Sequence, residues 1–283
     1  MQRTLAAPRC RQVRIDAPDG PSLSAQEWSD SGGTDCIFIH GFLQSHLCWW
    51  NQFSDRALTD ELHVVTYDIR GHGRSNKIEN EDLYREGRRF ADELHAVISA
   101  FTMHKPILVG WSYGTRIIAD YLVAYGDTGI AGINFVGSSL SDDNDYRGPG
   151  RAFLEEALSD DFARRLGATG KFIRACFGKP PPTSDLDQLV AISVAVPSKI
   201  RRWMRRPAAY DAALKSIRVP VLVTHGTADA INLRGAAQYV ARVAKRSELS
   251  LYTDTGHSPF WEDPMRFNRE LARFARRVRA TRF

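Results

Sequence analysis

The chain has 283 residues, of which 43% are hydrophobic and 25% charged, with a formal net charge of +5; this is the composition of a globular protein with a large core and excludes a disordered or fibrous one. Its cysteines, Cys10, Cys36, Cys48 and Cys176, are too sparse for a disulfide framework and form no CxxC pair, so they read as free thiols without zinc or redox work. Met1 to Arg14 lacks an apolar signal core, and no apolar run approaches the ~20 residues that span a bilayer, so a cytoplasmic protein away from membranes is expected.

In chain order, Val13 to Ile15 and Leu23 to Trp28 flank Asp19-Gly20-Pro21, turn chemistry that predicts an antiparallel hairpin at a sheet edge. Short apolar runs follow at Cys36 to Ile39, Val64 to Tyr67, Ile107 to Val109, Ile133 to Val136, Val221 to Thr224 and Leu249 to Tyr252. They do not alternate, which is the texture of strands covered on both faces. Helical stretches lie between them, the clearest being Leu83 to Phe101, where Phe90, Leu94, Val97, Ile98 and Phe101 share one stripe. Strand and helix in alternation predict an α/β fold, a mostly parallel sheet with helices on both faces, whose ligands sit beyond the carboxyl ends of the strands.

Residues 141–213 break the alternation with helix-like segments and the loop Lys179-Pro180-Pro181-Pro182-Thr183. They read as a helical cap inserted between two parts of one core, 1–140 and 214–283. Within the cap, Ser198 is expected to cap a helix that Pro207 ends, with Ile200, Trp203 and Met204 as its apolar stripe over the mouth of the sheet. Arg201, Arg202, Arg205 and Arg206 fall elsewhere on it; solvation is the plain reading, and an inward turn toward a substrate carboxylate is the sharper one. In the last helix Phe267, Leu271, Phe274 and Val278 face the core, while Arg266, Arg269, Arg273, Arg276 and Arg277 make a solvated basic face. No nucleic-acid recognition motif accompanies that charge, and no nucleic-acid partner is expected.

The strongest chemical signal is Gly110-Trp111-Ser112-Tyr113-Gly114, a GxSxG between a strand-like run and the helix-like Ile117 to Tyr125. A tight turn with a capping serine would give the same pentapeptide, but the strand-to-helix context predicts a strained turn that exposes a nucleophilic Ser112. A serine hydroxyl needs a base. His257, in Thr255-Gly256-His257-Ser258-Pro259 after the last strand, is best placed to supply one. His225 ends a strand in the same layer, and its loop His225-Gly226-Thr227-Ala228-Asp229 offers Asp229 as the acid that orients the imidazole, in the chain order Ser, Asp, His. Asp142, after an earlier strand, is the rival acid. The oxyanion needs two N–H donors: Tyr113 follows the nucleophile, and Phe42 lies in His40-Gly41-Phe42-Leu43, where Gly41 lets the chain turn. His40 and His72 read as structural.

With these residues in place the chain resembles the α/β-hydrolase superfamily, in its esterase and cofactor-free haloperoxidase-like branch. The resemblance rests on His40-Gly41-Phe42, Asp68-Ile69-Arg70-Gly71-His72-Gly73-Arg74-Ser75, the GxSxG, His225 to Asp229 and Gly256-His257. Tyr113 and Thr115 depart from common members, where methionine and a further glycine are frequent. The resemblance implies the α/β-hydrolase fold and a serine hydrolase acting on a small carboxylic ester or related acyl compound through an acyl-enzyme on Ser112. Perhydrolysis, lactone opening or carbon–carbon hydrolysis by the same triad, and a non-catalytic ligand-binding protein, remain as alternatives. No cofactor or metal is expected. Trp111, Trp203 and Phe260 are expected at an apolar, enclosed substrate pocket, and a homo-oligomer is left open.

Overall fold

The apolar runs are strands. The computed structural model describes residues 10–29 and 32–280; Met1 to Arg9, part of the stretch read above for a signal segment, and residues 281–283 lie outside them. Strands β1 (Arg11–Asp16), β2 (Ser22–Glu27), β3 (Thr34–Ile39), β4 (Leu62–Asp68), β5 (Ile107–Trp111), β6 (Gly132–Val136), β7 (Val221–Gly226) and β8 (Ser247–Tyr252) form one sheet in the order β1-β2-β4-β3-β5-β6-β7-β8. β1 and β2 are the antiparallel edge hairpin, β2 runs antiparallel to β4, and the strands from β4 to β8 are parallel. Ile37, Val64, Leu108, Ile133 and Val223 are all buried, because helices cover both faces of a parallel sheet and leave no wet side for polar alternation.

The strand order sets where a ligand can sit. From β3 the chain crosses to β4 on one side, and later returns to lay β5 on the other, with Ile39 beside Gly110. Loops leaving β3 and β5 therefore diverge and open a crevice at that switch point.

Two helical expectations change in detail. The Leu83 to Phe101 stretch divides into Asp82–Arg85 and Gly87–Ala100, because Glu86 is extended at φ −105°, ψ 128°. Phe90, Leu94, Val97 and Ile98 still form the buried stripe. The helix Ser198–Trp203 begins after Pro197 and has no side-chain cap; Ser198 is its first residue, and its hydroxyl donates to Asp160 Oδ1 at 2.9 Å. A serine inside the first turn points away from the free N–H groups that a capping side chain must reach.

Residues 141–213 carry the helices Arg151–Glu156, Phe162–Ala175, Thr183–Val194, Ser198–Trp203 and Asp211–Ser216. The ends of the segment meet in an antiparallel bridge between Ser141 and Ala209. Arg201 is the staple of these helices: fully buried, it donates to the carbonyls of Val196, Ala157 and Ser193 and to Thr169 Oγ1. The final helix, Pro264–Ala280, buries Phe267, Leu271, Phe274 and Val278. Four of its arginines are met by acids, Arg266 by Glu270, Arg276 by Glu61, and Arg273 and Arg277 by Glu248. Among the described residues, no helix is long and apolar enough to cross a membrane.

Candidate active site

Ser112 stands between β5 and the helix Tyr113–Tyr125 at φ 52°, ψ −109°. A non-glycine residue in such a region stores ~1–3 kcal/mol, held only because its surroundings leave no alternative. The flanking glycines state why: a Cβ on Gly114 would lie 2.4 Å from the Ile39 carbonyl oxygen, and one on Gly110 would lie 2.7 Å from that of Gly114. Thr115, a departure from the family pattern, replaces the missing glycine with a brace. Its hydroxyl donates to the Ser112 carbonyl at 2.5 Å and accepts the Ser139 N–H at 3.1 Å.

His257 leaves the loop after β8 and is almost fully buried. Its Nδ1 lies 2.7 Å from Asp229 Oδ2. The carboxylate can only accept, so Nδ1 carries a proton, which in the neutral imidazole leaves the lone pair on Nε2. Nε2 is buried with no hydrogen-bond partner among the described residues. His257 and Ser112 line the same cavity. Burial opposes the charge of Asp229, but His257, then His225 and the Asn232 N–H, outweigh it and hold the carboxyl below its ordinary range. Asp229 Oδ1 also accepts from the N–H groups of Ile231 and Asn232 at 2.7 and 2.9 Å. The rival Asp142 is 41% exposed and faces Arg116, Arg147 and the Ala208 N–H instead.

Two residues that the sequence left without this role fix the imidazole. Trp111 Nε1 donates to the His257 carbonyl at 2.8 Å, tying the histidine loop to the strand that carries Ser112. Gly137, at φ +54° past the end of β6, makes room for the ring, since a Cβ there would lie 2.9 Å from His257 Nδ1. A glycine after a strand is common enough in sequence to carry no such signal.

The loop after β3 passes over the elbow. Gly41 is not at positive φ; a Cβ there would come within 2.9 Å of the Trp111 ring, so close approach, not a turn, requires glycine. Leu43 adopts φ +64°, and its N–H donates to His72 Nε2 at 3.2 Å. His72 Nδ1 donates to the Arg70 carbonyl, while His40 Nδ1 donates to the Gly41 carbonyl and Nε2 accepts the Ile69 N–H. Each ring nitrogen is thus used by a neutral imidazole, and burial pulls His40 down to about 4 and His72 to about 3. Both are structural supports. Tyr113 begins its helix, so its N–H has no intrahelical acceptor, and the Phe42 N–H has no internal acceptor among the described residues.

The cavity has a volume of about 390 Å³. Gly41, Phe42, Trp111, Ser112, Tyr113 and His257 line it from the sheet, and Asp142, Arg147, Arg151, Phe172, Met204 and Arg205 from residues 141–213. Trp203 and Phe260 do not line it. Trp203 stacks on Tyr84 at 6.0 Å, and Phe260 is buried against Trp49 and Trp111; neither the helical stripe that points to Trp203 nor the nearness in sequence that points to Phe260 fixes which neighbour a ring meets. Of the expected stripe, Met204 reaches the cavity while Ile200 packs into the core. The lining is also less apolar than expected, because several arginines enter it. Among the described residues, no group of three or more His, Cys, Asp or Glu side chains could hold a metal ion.

Residues 36–270 match the alpha/beta hydrolase family. The chain belongs to that family. A putative aryl esterase from Burkholderia cenocepacia is 35% identical, with a TM-score of 0.91 over 95% of this chain and 100% of its own. An esterase from Rhodococcus sp. ECU1013 is 29% identical, with a TM-score of 0.86 over 94% of this chain and 99% of its own. The pimeloyl-[acyl-carrier protein] methyl ester esterase of Vibrio cholerae serotype O1 is 25% identical over 88% of this chain and 98% of its own. This hydrolase therefore stands among esterases by sequence as well as by fold.

Proposed function

We propose that this hydrolase cleaves a compact carboxylic ester through an acyl-enzyme on Ser112, with His257 as general base and Asp229 as the acid that orients it. The reading is carried by one arrangement: a strained serine at a helix start lines the same cavity as a histidine whose Nε2 has no hydrogen-bond partner among the described residues and whose other nitrogen is fixed on a buried carboxylate. The esterase relatives point the same way.

In this mechanism Ser112 Oγ attacks the ester carbonyl as its proton passes to His257 Nε2. Negative charge moves to the carbonyl oxygen, where the Phe42 and Tyr113 N–H groups receive it, each worth ~3 kcal/mol in the transition state. The positive end of the Tyr113–Tyr125 helix dipole adds to that stabilisation. The imidazolium, stabilised by Asp229, protonates the departing alkoxide. Water then attacks the acyl-enzyme with His257 again as base, and the carboxylic acid leaves. Residues 141–213 act as the cap on a core made from 1–140 and 214–283. The cavity volume is at the lower end of ligand pockets, which favours short acyl groups.

The test is turnover of p-nitrophenyl acetate, butyrate and palmitate by wild type and Ser112→Ala. The expected result is preference for the short esters and a loss of at least ~10³-fold in kcat on removing the nucleophile, with unchanged circular dichroism. A folded Ser112→Ala protein that keeps most of its activity would overturn the mechanism.

A further inference from the structure

The cavity wall carries more positive charge than its own acids neutralise. Arg205 is matched by Glu155 at 2.8 Å and Arg206 by Asp120 at 2.6 Å. Arg116 and Arg147, both in the lining with Arg151, share the carboxylate of Asp142, which lies 3.3 Å from Arg116 and 3.8 Å from Arg147. That carboxylate also accepts the Ala208 N–H at 2.6 Å.

Arg151 is the least compensated of the three. Among the described residues it has no carboxylate within ion-pair distance. Its Nε donates to the Ile231 carbonyl at 3.2 Å and its Nη2 to Asn232 Oδ1 at 2.5 Å, both neutral acceptors. Burial, then repulsion from Arg116 and Arg147, outweighs the attraction of Asp142 and Asp229 and pulls its guanidinium down to about 10, so it remains charged at neutral pH. Arg201 supplies an internal contrast. It too is buried without a carboxylate, but it spends its donors on four acceptors inside the helical segment and does not line the cavity. Arg151 makes fewer bonds and lines the same cavity as Ser112. A half-buried guanidinium has donors in a planar fork that matches a carboxylate, and the attraction is strengthened where water is partly excluded.

We propose that Arg151, with Arg147 beside it, receives a carboxylate of the substrate, so that the preferred esters are anionic: half-esters of dicarboxylic acids, or esters whose leaving group bears a carboxylate. The inference rests on the esterase reading above and deepens it to a substrate class. The expected inward arginines of the Ser198–Trp203 helix are not the ones that carry it, since Arg201 is a staple, Arg202 pairs with Asp160, and Arg205 and Arg206 have acids of their own.

The experiment compares kcat/KM for phenyl pentanoate, monophenyl glutarate and 3-carboxyphenyl pentanoate. The second places the carboxylate on the acyl side and the third on the leaving group, so the favoured one identifies the source. Wild type is expected to prefer one anionic ester over the neutral one by about tenfold or more at low salt, and to lose that preference as sodium chloride is raised. In Arg151→Met the anionic-to-neutral ratio is expected to fall by about tenfold, mostly through KM, with partial return in Arg151→Lys. Should Arg151→Met fail to fold, Arg147→Gln, at a side chain 43% exposed, is expected to lower the same ratio by about threefold. A ratio at or below unity in wild type, or one that neither variant changes, would overturn the inference while leaving Ser112-dependent turnover of the neutral ester intact. Absence of turnover on all three esters would instead overturn the esterase reading itself, and this inference with it.

Discussion

The sheet side of the cavity and its helical side are built in different ways. On the sheet side, Ser112, the Phe42 and Tyr113 N–H groups and the imidazole of His257 sit at strand ends, each fixed by a close backbone approach or a short hydrogen bond to the neighbouring strand's loop. On the helical side, Arg147, Arg151, Phe172 and Met204 arrive from separate helices and loops, and the two arginines meet Asp142, five residues before Arg147, and Asn232, far along the chain. On the proposed mechanism, bond-making chemistry belongs to the sheet side and substrate choice to the other, as expected when one fold serves many reactions.

The two candidate acids divide along the same line, and exchanging their charges breaks the comparison most severely. Asp229→Asn is expected to lower kcat about 10⁴-fold, because the amide no longer selects the His257 tautomer with a free Nε2. Asp142→Asn is expected to cost at most about tenfold in kcat/KM on a neutral ester. Steady-state kinetics of both variants check the pair, and a crippled Asp142→Asn with an active Asp229→Asn would move the acid to the helical side.

A smaller effect tests the rigidity of the sheet side through pH. His72 titrates near 6.5 in the unfolded chain but only at about 3 when folded. The unfolded state therefore takes up a proton that the folded state refuses, so this contribution is complete above pH 6.5 and is lost as pH falls toward 3. Between pH 7 and 5, wild type is expected to lose about 2 kcal/mol more stability than His72→Gln, in which an amide oxygen can still accept the Leu43 N–H. Urea unfolding at the two pH values measures the difference; equal losses would mean that His72 is not held neutral beneath the loop that carries Phe42. Smaller still, Trp111→Phe removes the bond to the His257 carbonyl and is expected to lower kcat about fivefold with KM nearly unchanged. A change confined to KM would place Trp111 in substrate packing alone.

Much of the sheet side was legible in the residues, because its signals are local. Apolar runs without alternation gave the strands, and GxSxG between a strand and a helix gave the elbow. His225 to Asp229 and Gly256-His257 marked the two loops whose imidazole and carboxylate meet at 2.7 Å. What escaped depends on distance through space. Gly137 looks like any glycine after a strand, and Trp111 like any pocket aromatic, until the imidazole and its carbonyl are beside them. Trp203 and Phe260 were misplaced because helical phase and chain proximity do not say which neighbour a ring meets. Arginines are dense in sequence from Arg201 to Arg206, and two of them, Arg205 and Arg206, do line the cavity, each beside its own acid. Arg147 and Arg151 line it as well, and their sequence neighbours contain no pattern that marks them.

The central claim, that Ser112 is activated by the imidazole fixed on Asp229, is tested most directly by labelling the wild-type protein with a fluorophosphonate and mapping the adduct by peptide mass spectrometry. The account predicts one adduct per chain, on Ser112, formed at least ~10³-fold more slowly in Asp229→Asn. An adduct on another serine, or equal labelling rates in the two proteins, would contradict it.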